Sequence, residues 1–487
     1  MSDTALPLTK AAAPLNEDLV ALILGLLVVG LAIVAALSGT DLMGWVVSSA
    51  VYTDVTKSLA PASKVFAGLG GLGSLAVTFV VLVGVLTGAA TLLGLEARRF
   101  LPRVAAVFAL AYASWLVGSY AHFAAVTPGD FKKFGIDWSL RLTNEGGFIV
   151  ALIVGIVIAN AFPRFADWLR EAALPELYIK VAVVVLGAFL ATTFAGKLNF
   201  ASTVVLRGIA AIVEAYLIYW AVVYYVARRY FRFNREFAVP LASGISICGV
   251  AAAIATGSAI RARPDVPILV SSLVVVFAVV EVLILPFLAQ TFLWHEPLVA
   301  AAWMGLAVKT DGAAVAAGGI TDALVLAKNA ANGVAYQKDS LLAVTTAIKI
   351  FIDVFIGVWA FILAFIWTRY INTDQEKARP IEIWQRFPKF IIGFALAFGV
   401  VLAVALSGSK PTQAAIAASV KVANNFRVIF FILTFFSIGL LSDFKRLWSA
   451  GIGKLAAVYV VSLFGFVIWV GLLISWLFFA GVKPPLA

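Results

Sequence analysis

Long apolar runs alternate with short polar or charged stretches along the whole chain. A helix of about 20 apolar residues crosses the roughly 30 Å hydrocarbon core of a bilayer. The pattern therefore predicts about thirteen transmembrane helices. Their approximate bounds are 19–37, 72–95, 104–126, 147–162, 177–196, 203–228, 240–260, 266–292, 298–320, 341–369, 387–407, 422–441 and 453–480.

The composition argues against a water-soluble protein. Apolar types make up 63% of the 487 residues and charged types 13%, whereas soluble domains average about 45–50% and about 25%. The mean hydropathy of +1.04 agrees with this. Soluble enzymes, nucleic-acid-binding proteins and disordered scaffolds are thereby disfavoured, and the expected fold class is an all-α integral membrane protein.

The distribution of charge predicts the orientation. The chain has 36 Lys and Arg against 25 Asp and Glu, a net charge of +11, and basic residues collect after even-numbered helices, which the positive-inside rule assigns to the cytoplasm. Arg261, Arg263 and Lys132 are exceptions on the opposite side. We predict a multi-pass protein of the bacterial inner membrane with a cytoplasmic N-terminus. The basic residues after even-numbered helices include Arg98, Arg99, Arg103, Arg164, Arg170, Arg228 and Arg229.

The residues of metal and covalent chemistry are scarce. One cysteine, Cys248, excludes a disulfide framework, and two distant histidines, His122 and His295, do not form a metal-binding pattern. No HExxH, GxSxG or Walker motif occurs. We therefore expect no cofactor and no metal, and an intramembrane enzyme is the least favoured of the alternatives.

The last ten predicted helices divide into two units of five, helices 4–8 and 9–13. An odd number of crossings inverts the second unit relative to the first, as in many secondary transporters. Short similarities fall at corresponding places: Gly155–Asn160 with Gly305–Thr310, and Ser246–Gly249 with Ser437–Gly439. The predicted organisation is a tail at 1–18, an added three-helix unit with an outer loop at 19–146, and repeats at 147–292 and 293–487.

Helices 7 and 12 carry glycines and small polar residues near mid-membrane, at Ser243–Gly249 and Thr434–Gly439. An interrupted helix there presents free N–H groups and a partial positive charge to an anion. The alternative is close helix packing through small residues. We predict that both helices stop within the membrane and share a substrate. The predicted substrate-binding residues are Asn160, Ser243, Gly244, Ser246, Cys248, Gly249, Lys309, Thr310, Thr434, Ser437 and Gly439.

The Gly-Ile-Ser-Ile-Cys-Gly sequence at Gly244–Gly249 is close to the Gly-Thr-Ser-Ile-Cys-Gly motif of the YeiH-like sulfate exporter family. Trp303–Gly305, Lys349 and Ile438–Asp443 extend this similarity, so the chain resembles the family over about residues 147–481. The resemblance implies five-plus-five inverted repeats with two crossed, interrupted helices, as in bile-acid symporters and sodium/proton antiporters. It also implies transport of a small anion.

The chain departs from this family in the ninth helix. Where many members have a His–acid pair and a Gln, this sequence has Lys309, Thr310 and Ala313, with Asp311 shifted by one position. If the His–acid pair sets coupling in the relatives, both substrate and coupling can differ here.

Charged groups inside the predicted helices cost about 2.5–3.5 kcal/mol each on insertion scales, so they indicate function. We assign ion coupling to Glu281, Asp311, Lys349 and Asp353. Lys349 and Asp353 are four residues apart, so an internal ion pair is the alternative for them. Lys309 and Asp311 can likewise pair with each other, and Glu214 is expected to be structural.

These features predict a secondary active transporter of a small anion, either sulfate or a small organic sulfonate or carboxylate. It would work by alternating access with coupling to protons or sodium. A cation/proton antiporter is the alternative, disfavoured because the two predicted crossings hold Ser, Thr and Gly rather than carboxylates. The bilayer is the expected environment, nucleic acid is not a partner, and a homodimer is left open.

Overall fold

The structure, a computed structural model, describes residues 15–125, 128–140, 146–195, 198–263, 265–371, 381, 384, 387–443 and 453–487. Most of these residues are helical. A small antiparallel ribbon of two strands, β1 (Val47–Ser49) and β2 (Leu59–Pro61), lies in the loop after the first helix. The fold agrees with the predicted all-α membrane class. The ribbon itself was not predicted, because strands of three residues are too short to produce a recognisable alternating pattern.

We number the long helical units in chain order, and letters mark the two halves of an interrupted unit. They are α1 (Glu17–Ser38), α2 (Gly70–Leu92), α3 (Ala97–Gly118), α4 (Gly146–Ala161), α5 (Pro175–Phe194), α6 (Leu198–Gly208, Ala210–Val213, Glu214–Tyr219 and Trp220–Arg229), α7a (Arg235–Ser246), α7b (Ala251–Ala259), α8 (Asp265–Phe292), α9a (Pro297–Ala307), α9b (Asp311–Ala331), α10 (Ser340–Val354, Ile356–Ile366 and Trp367–Ile371), α11 (Lys389–Ser407), α12 (Lys410–Leu441) and α13 (Gly453–Ser462, Leu463–Val467 and Ile468–Phe479). The connections contain the short helices Ala121–Ala124, Pro128–Phe134 and Pro163–Leu169 and the 3₁₀ turns Val55–Lys57, Lys64–Leu69 and Arg170–Ala172.

Ten helices in the described residues are long and apolar enough to cross a membrane, so the protein is a multi-span membrane protein. A further apolar helix, α4, bends by 120° into the short helix that starts at Pro163. The remaining two predicted segments, the seventh and the ninth, each consist of two shorter helices. Two breaks in the helical backbone therefore lie inside the protein.

The helices form two bundles. The first bundle contains α1–α5, α11 and α12, and in it α12 packs along α4 and α5. The second bundle contains α6–α10 and α13, and in it α8 packs on α9b while α9a packs on α10 and α13. The bundles meet where α8 and α9b contact α5 and α12. We call this contact the seam.

The three N-terminal helices are built into the first bundle. Lys180 Nζ of α5 lies 2.7 Å from Asp18 Oδ1 of α1. Gly25 lets α1 approach α5 closely, because a Cβ at this position would lie 2.5 Å from Val184 Cβ. The helix α3 packs on α4 in turn. The added unit predicted from the sequence thus supports the helices that form one side of the seam.

The predicted interruption of the twelfth segment is wrong. The helix α12 is continuous through Thr434, Ser437 and Gly439. Gly439 packs against Gly155 of α4, and a Cβ on Gly439 would collide with the carbonyl oxygen of Leu152. Small residues commonly allow this close approach of two helices in membranes. The alternative interpretation, close packing, therefore holds for this segment.

The second break occurs in the ninth unit instead, between α9a and α9b. Breaks in the seventh and ninth units do not occupy corresponding places in the two predicted five-helix repeats. The pair of breaks therefore gives no support to the inverted repeat, which stays a prediction.

Candidate functional site

The first break separates α7a from α7b. The helix α7a ends at Ser246, and Ile247 leaves helical geometry with φ −107° and ψ −85°. This confirms the interruption predicted from the Gly244–Gly249 sequence. Gly249 is needed there because a Cβ would collide with Val274 of α8. The hydroxyl of Ser246 is buried and has no hydrogen-bond partner among the described residues.

The second break spans residues 308–310. Thr310 caps α9b, since its Oγ1 accepts a hydrogen bond of 3.1 Å from the N–H of Ala313. The two breaks are in direct contact: the N–H of Gly249 donates to the carbonyl oxygen of Lys309 over 2.7 Å. The two interrupted units therefore meet at their breaks, and we call this place the crossing.

One ammonium group braces both breaks. Nζ of the buried Lys349 donates to the carbonyl oxygen of Ile247 at 2.8 Å and to that of Lys309 at 3.4 Å. It also lies 3.7 Å from Asp311 Oδ1. Helix ends leave carbonyl groups without intrahelical partners, and Lys349 satisfies one at each break. Among the described residues its ion-pair contact is with Asp311, and Asp353, one turn along α10, belongs to the same buried cluster. The pairing of Lys349 with Asp353 therefore stays an alternative.

Asp311 is the first residue of α9b and the centre of a buried cluster. The thiol of Cys248 donates to its Oδ1 over 2.9 Å. Ligand atoms of Cys248, Asp311 and Asp353 lie within 4.8 Å of one another. Oδ1 of Asp353 is buried without a hydrogen-bond partner in the described part of the chain. A thiol and two carboxylates can hold a cation, so these three residues are the candidate cation ligands.

A second group of charges surrounds Lys309. Its N–H donates to Glu281 Oε2 over 3.2 Å. Its ammonium donates to the carbonyl oxygen of Leu306 and lies 4.4 Å from the centre of the Tyr219 ring. Oε1 of Glu281 and both carboxylate oxygens of Glu214 are buried and lack hydrogen-bond partners among the described residues. Glu214 begins the π-helical stretch of α6, a distortion frequent at functional sites.

The crossing touches the first bundle through Gly312 of α9b. A Cβ on Gly312 would lie 3.5 Å from Thr434 and 3.6 Å from Ile438 of α12, and 3.7 Å from Ile179 of α5. The hydroxyl of Ser437, on the same helix α12, is buried without a partner in the described residues. The seam therefore passes directly beside the charged cluster.

Two residues predicted in the first interrupted segment have local structural roles. Ser243 Oγ donates to the carbonyl oxygen of Val239 and accepts from Trp220 Nε1, both at 3.0 Å. Gly244 provides space, because a Cβ there would lie 2.8 Å from Val270 of α8.

Three other predicted residues lie on or against α12. Asn160 Nδ2 donates to the carbonyl oxygen of Ser442 at 2.9 Å, which ties the end of α4 to the end of α12. Thr434 Oγ1 donates to the carbonyl oxygen of Phe430 at 2.7 Å. Gly439 packs on α4. The structure thus places Asn160 and Gly439 in a helix–helix contact and leaves Thr434 facing the crossing.

The predicted binding of an anion by free backbone N–H groups is wrong for Gly249. The N–H of Gly249 is bonded to Lys309, and the N–H of Lys309 is bonded to Glu281. The carboxylate of Asp311 occupies the first turn of α9b, where the helix dipole favours negative charge. Side chains, including carboxylates, therefore supply the charge at the crossing. This removes the sequence-based argument against a cation/proton antiporter.

Sequence reasoning missed the break at 308–310 and the contact of Lys309 with Tyr219. A signal for the break was present: Thr310 followed by Asp311 is a typical cap with an acidic first turn, and it predicts a helix that starts at Asp311.

Comparison with known proteins gives the family. The family described as Conserved hypothetical protein 698 matches residues 138–458. The chain is 40% identical to a UPF0324 membrane protein of Nitrosomonas europaea over 415 residues, 85% of each chain. It is 50% identical to an uncharacterized protein of Archaeoglobus fulgidus over 160 residues, 29% of this chain and 84% of that protein. It is 27% identical to a UPF0324 membrane protein of Rhodopirellula baltica over 379 residues, 76% of this chain and 61% of that protein.

The matched region contains both breaks, Lys349 and the helix α12. The comparison also confirms the resemblance to the YeiH-like family that the Gly244–Gly249 sequence indicated. The chain therefore belongs to the family described as Conserved hypothetical protein 698, together with the UPF0324 membrane proteins.

Proposed function

We propose that this protein is a secondary active transporter of a small anion, coupled to protons and working by alternating access between the two bundles. The observation that carries the proposal is the crossing, where two interrupted units meet and Lys349 binds both breaks. Non-helical backbone at membrane depth is tolerated where protein or a water-filled cavity surrounds it, and in transporters it forms the binding site. The topology in this proposal has thirteen crossings and a cytoplasmic N-terminus.

The sign of the net charge at the crossing depends on whether its carboxylates are protonated. Asp311, Asp353, Glu281 and Glu214 lie with Lys309 and Lys349, so four carboxylates against two ammonium groups give a formal charge of minus two when all are ionised. Protonation of all four carboxylates changes this charge to plus two. An anion is therefore attracted after protons bind and repelled after they leave.

The seam provides the place for the conformational change. At Gly312 the second bundle contacts the first bundle through a residue that has no side chain. Even a Cβ at this position would lie at ordinary contact distance from Thr434 and Ile438. Relative motion of the bundles along this contact exposes Asp311 to one side of the membrane at a time. Lys349 keeps the two breaks together during that motion because both are bonded to it.

Proteoliposomes that contain a pH-sensitive dye test this function. A gradient of sulfate, methanesulfonate or succinate should move protons with the anion in wild-type vesicles. Asp311→Asn should abolish the anion-dependent proton flux, because the amide keeps the size of the side chain but removes its charge. Asp54→Asn is the matched control, since Asp54 is half-exposed beside the ribbon, and it should transport normally. If none of the three anions moves protons, the anion proposal is rejected.

A cation/proton exchanger is a second candidate, favoured by the cluster of Cys248, Asp311 and Asp353. A carboxylate at a crossing of interrupted helices can bind a cation and a proton alternately. In the same vesicles, gradients of sodium, potassium or lithium would then drive protons in the opposite direction to the cation. A response to these cations without a response to the anions would assign this second function.

A further inference from the structure

A cavity of about 100 Å³ lies at the seam, away from the crossing. Ser49 of β1, Trp115 of α3 and Arg427 of α12 line it from the first bundle. Gly319 of α9b and Asp339, which precedes α10, line it from the second bundle. Opening or closing of the seam would therefore change this cavity.

The distance from the cavity to the crossing follows from the number of residues between them along α9b and α10. On α9b, Gly319 follows Asp311 by eight residues, and on α10, Leu342 precedes Lys349 by seven. At a rise of 1.5 Å per residue, both helices place the cavity about 11–12 Å from the charged cluster. In the predicted orientation this is the outward direction, so the cavity lies between the cluster and the outer surface.

Arg427 presents a fixed cation to this cavity. Its side chain is buried, and its Nε donates to Asn424 Oδ1 over 2.5 Å. Its guanidinium carbon lies 5.6 Å from the centre of the Phe189 ring and 5.2 Å from that of Phe431. Aromatic faces hold a guanidinium group in one orientation. A fixed guanidinium suits the paired oxygens of a sulfate, sulfonate, phosphate or carboxylate group.

The carboxylate opposite Arg427 belongs to Asp339 of the second bundle, and the two groups are not within hydrogen-bond distance of each other. Arg427 Nη2 lies 3.6 Å from Asp339 Oδ1, beyond the roughly 2.7–3.2 Å of an N–H···O hydrogen bond. Asp339 has a left-handed backbone with φ +63°, and its N–H donates to Asp322 Oδ2 over 2.9 Å. The backbone that presents this carboxylate is therefore held in place across the seam from Arg427.

We propose that this cavity binds one small free oxyanion on Arg427, in competition with Asp339. The cavity is large enough for several waters or for one tetrahedral oxyanion. Binding replaces the only ion pair that the described residues form between Arg427 and the second bundle. The inference rests on the proposed anion transport and deepens it, because it places a loading site on the outer path to the crossing.

Calorimetric titration of the full-length protein in detergent with sodium sulfate, at constant ionic strength, tests the site. The wild type should bind one sulfate, because the ionised crossing repels a second anion. Arg427→Lys should weaken binding about tenfold, because it keeps the charge but loses the planar fork. Asp339→Asn should tighten binding about tenfold by removing the competing carboxylate, and Asn accepts a left-handed backbone as readily as Asp. A gain in affinity cannot arise from misfolding.

Two controls separate this site from surface charge. Arg99→Gln, whose side chain is 70% exposed, and Asp54→Asn, whose side chain is 51% exposed, should bind sulfate as the wild type does. Unchanged affinity in Arg427→Lys would place the anion elsewhere and overturn the inference. Absence of binding in the wild type, or unchanged affinity in Asp339→Asn, would overturn it as well.

A further arm distinguishes a free oxyanion from a lipid headgroup. Glycerol phosphate carries the phosphate of a headgroup on a larger body, and the cavity should bind it more weakly than sulfate. Binding of glycerol phosphate without binding of sulfate would refute a site for small free oxyanions. If sulfate binds through Arg427 while the vesicles show no anion-driven proton flux, this site stands and the proposed transport function fails.

Discussion

Lys349→Met tests whether one buried ammonium group holds the two breaks together. Methionine keeps an unbranched side chain of similar length and removes the charge and the donors. The carbonyl oxygens of Ile247 and Lys309 then lose the donor at 2.8 and 3.4 Å, and Asp311 loses its cation at 3.7 Å. Because methionine fits the same space, the change in stability measures the loss of these three contacts.

The distance sets the expected size of the effect. At 3.7 Å and an effective dielectric constant of about 20, the attraction between Lys349 and Asp311 is about 4.5 kcal/mol. Removing one partner of a buried ion pair typically costs about 3–5 kcal/mol, since the other charge stays buried. We therefore expect Lys349→Met to lower the free energy of unfolding by about 4 kcal/mol.

A pair at almost the same distance serves as the control for burial. Lys57 Nζ lies 3.8 Å from Asp54 Oδ2, but these side chains are 83% and 51% exposed, against 2% and 6% for Lys349 and Asp311. Solvent screens exposed pairs, so Lys57→Met should leave the unfolding midpoint unchanged.

Unfolding in mixed detergent and dodecyl sulfate micelles, followed by tryptophan fluorescence, measures both variants. The double variant Lys349→Met with Asp311→Asn should recover much of the lost stability, because it removes the unpaired carboxylate as well. A loss below about 1 kcal/mol for Lys349→Met, the range of exposed pairs, would refute the bracing role. A double variant no more stable than the single one would refute the pairing with Asp311.

Three further predictions concern packing and access. Gly439→Ala should destabilise the protein by about 2 kcal/mol, the usual cost of overpacking, whereas Gly399→Ala, where a Cβ meets nothing within 4 Å, should not lower stability in the same unfolding assay, because Ala favours a helix over Gly. Cys248 is the single thiol and is 1% exposed, so mass spectrometry should find slow maleimide labelling in the wild type and faster labelling in Lys349→Met; equal rates would contradict a brace that closes the crossing. Glu281→Gln should unfold like the wild type, because the amide oxygen still accepts from the Lys309 N–H, but vesicles should show altered proton flux; unchanged flux would exclude Glu281 from coupling.

The two interrupted segments show what local sequence can and cannot predict. Gly244–Gly249 predicts the first break correctly. The similar composition of Thr434–Gly439 predicts a break, but α12 is continuous there. Glycines occur both where a helix is interrupted and where two helices pack closely, so the residue type alone does not distinguish the two cases. The outcome depends on the partner helix, and here Gly155 of α4 lies against Gly439. This contact joins residues that are far apart in sequence, so no local pattern contains it.

The buried charges show the same limit. Ionisable residues within apolar runs identified Glu281, Asp311, Lys349 and Asp353 as special, and the structure gathers them around the two breaks. Their pairing was not predictable from spacing. Helical spacing pairs Lys349 with Asp353, whereas the fold brings Asp311 from another helix to 3.7 Å. The break at 308–310 changes the direction of the chain, so that Asp311 starts a new helix at the crossing. This change of direction brings Asp311 close to Lys349.

The length of α12 has a practical consequence. Its 32 residues give a rod of about 48 Å, longer than a hydrocarbon core of about 30 Å. Its early turns continue beside the ribbon loop, where Ala415 and Ser419 line a cavity together with Met43 and Ser63. An antibody fragment that recognises this joint would move rigidly with Arg427. It would give electron cryomicroscopy an alignment mark that is fixed to the first bundle.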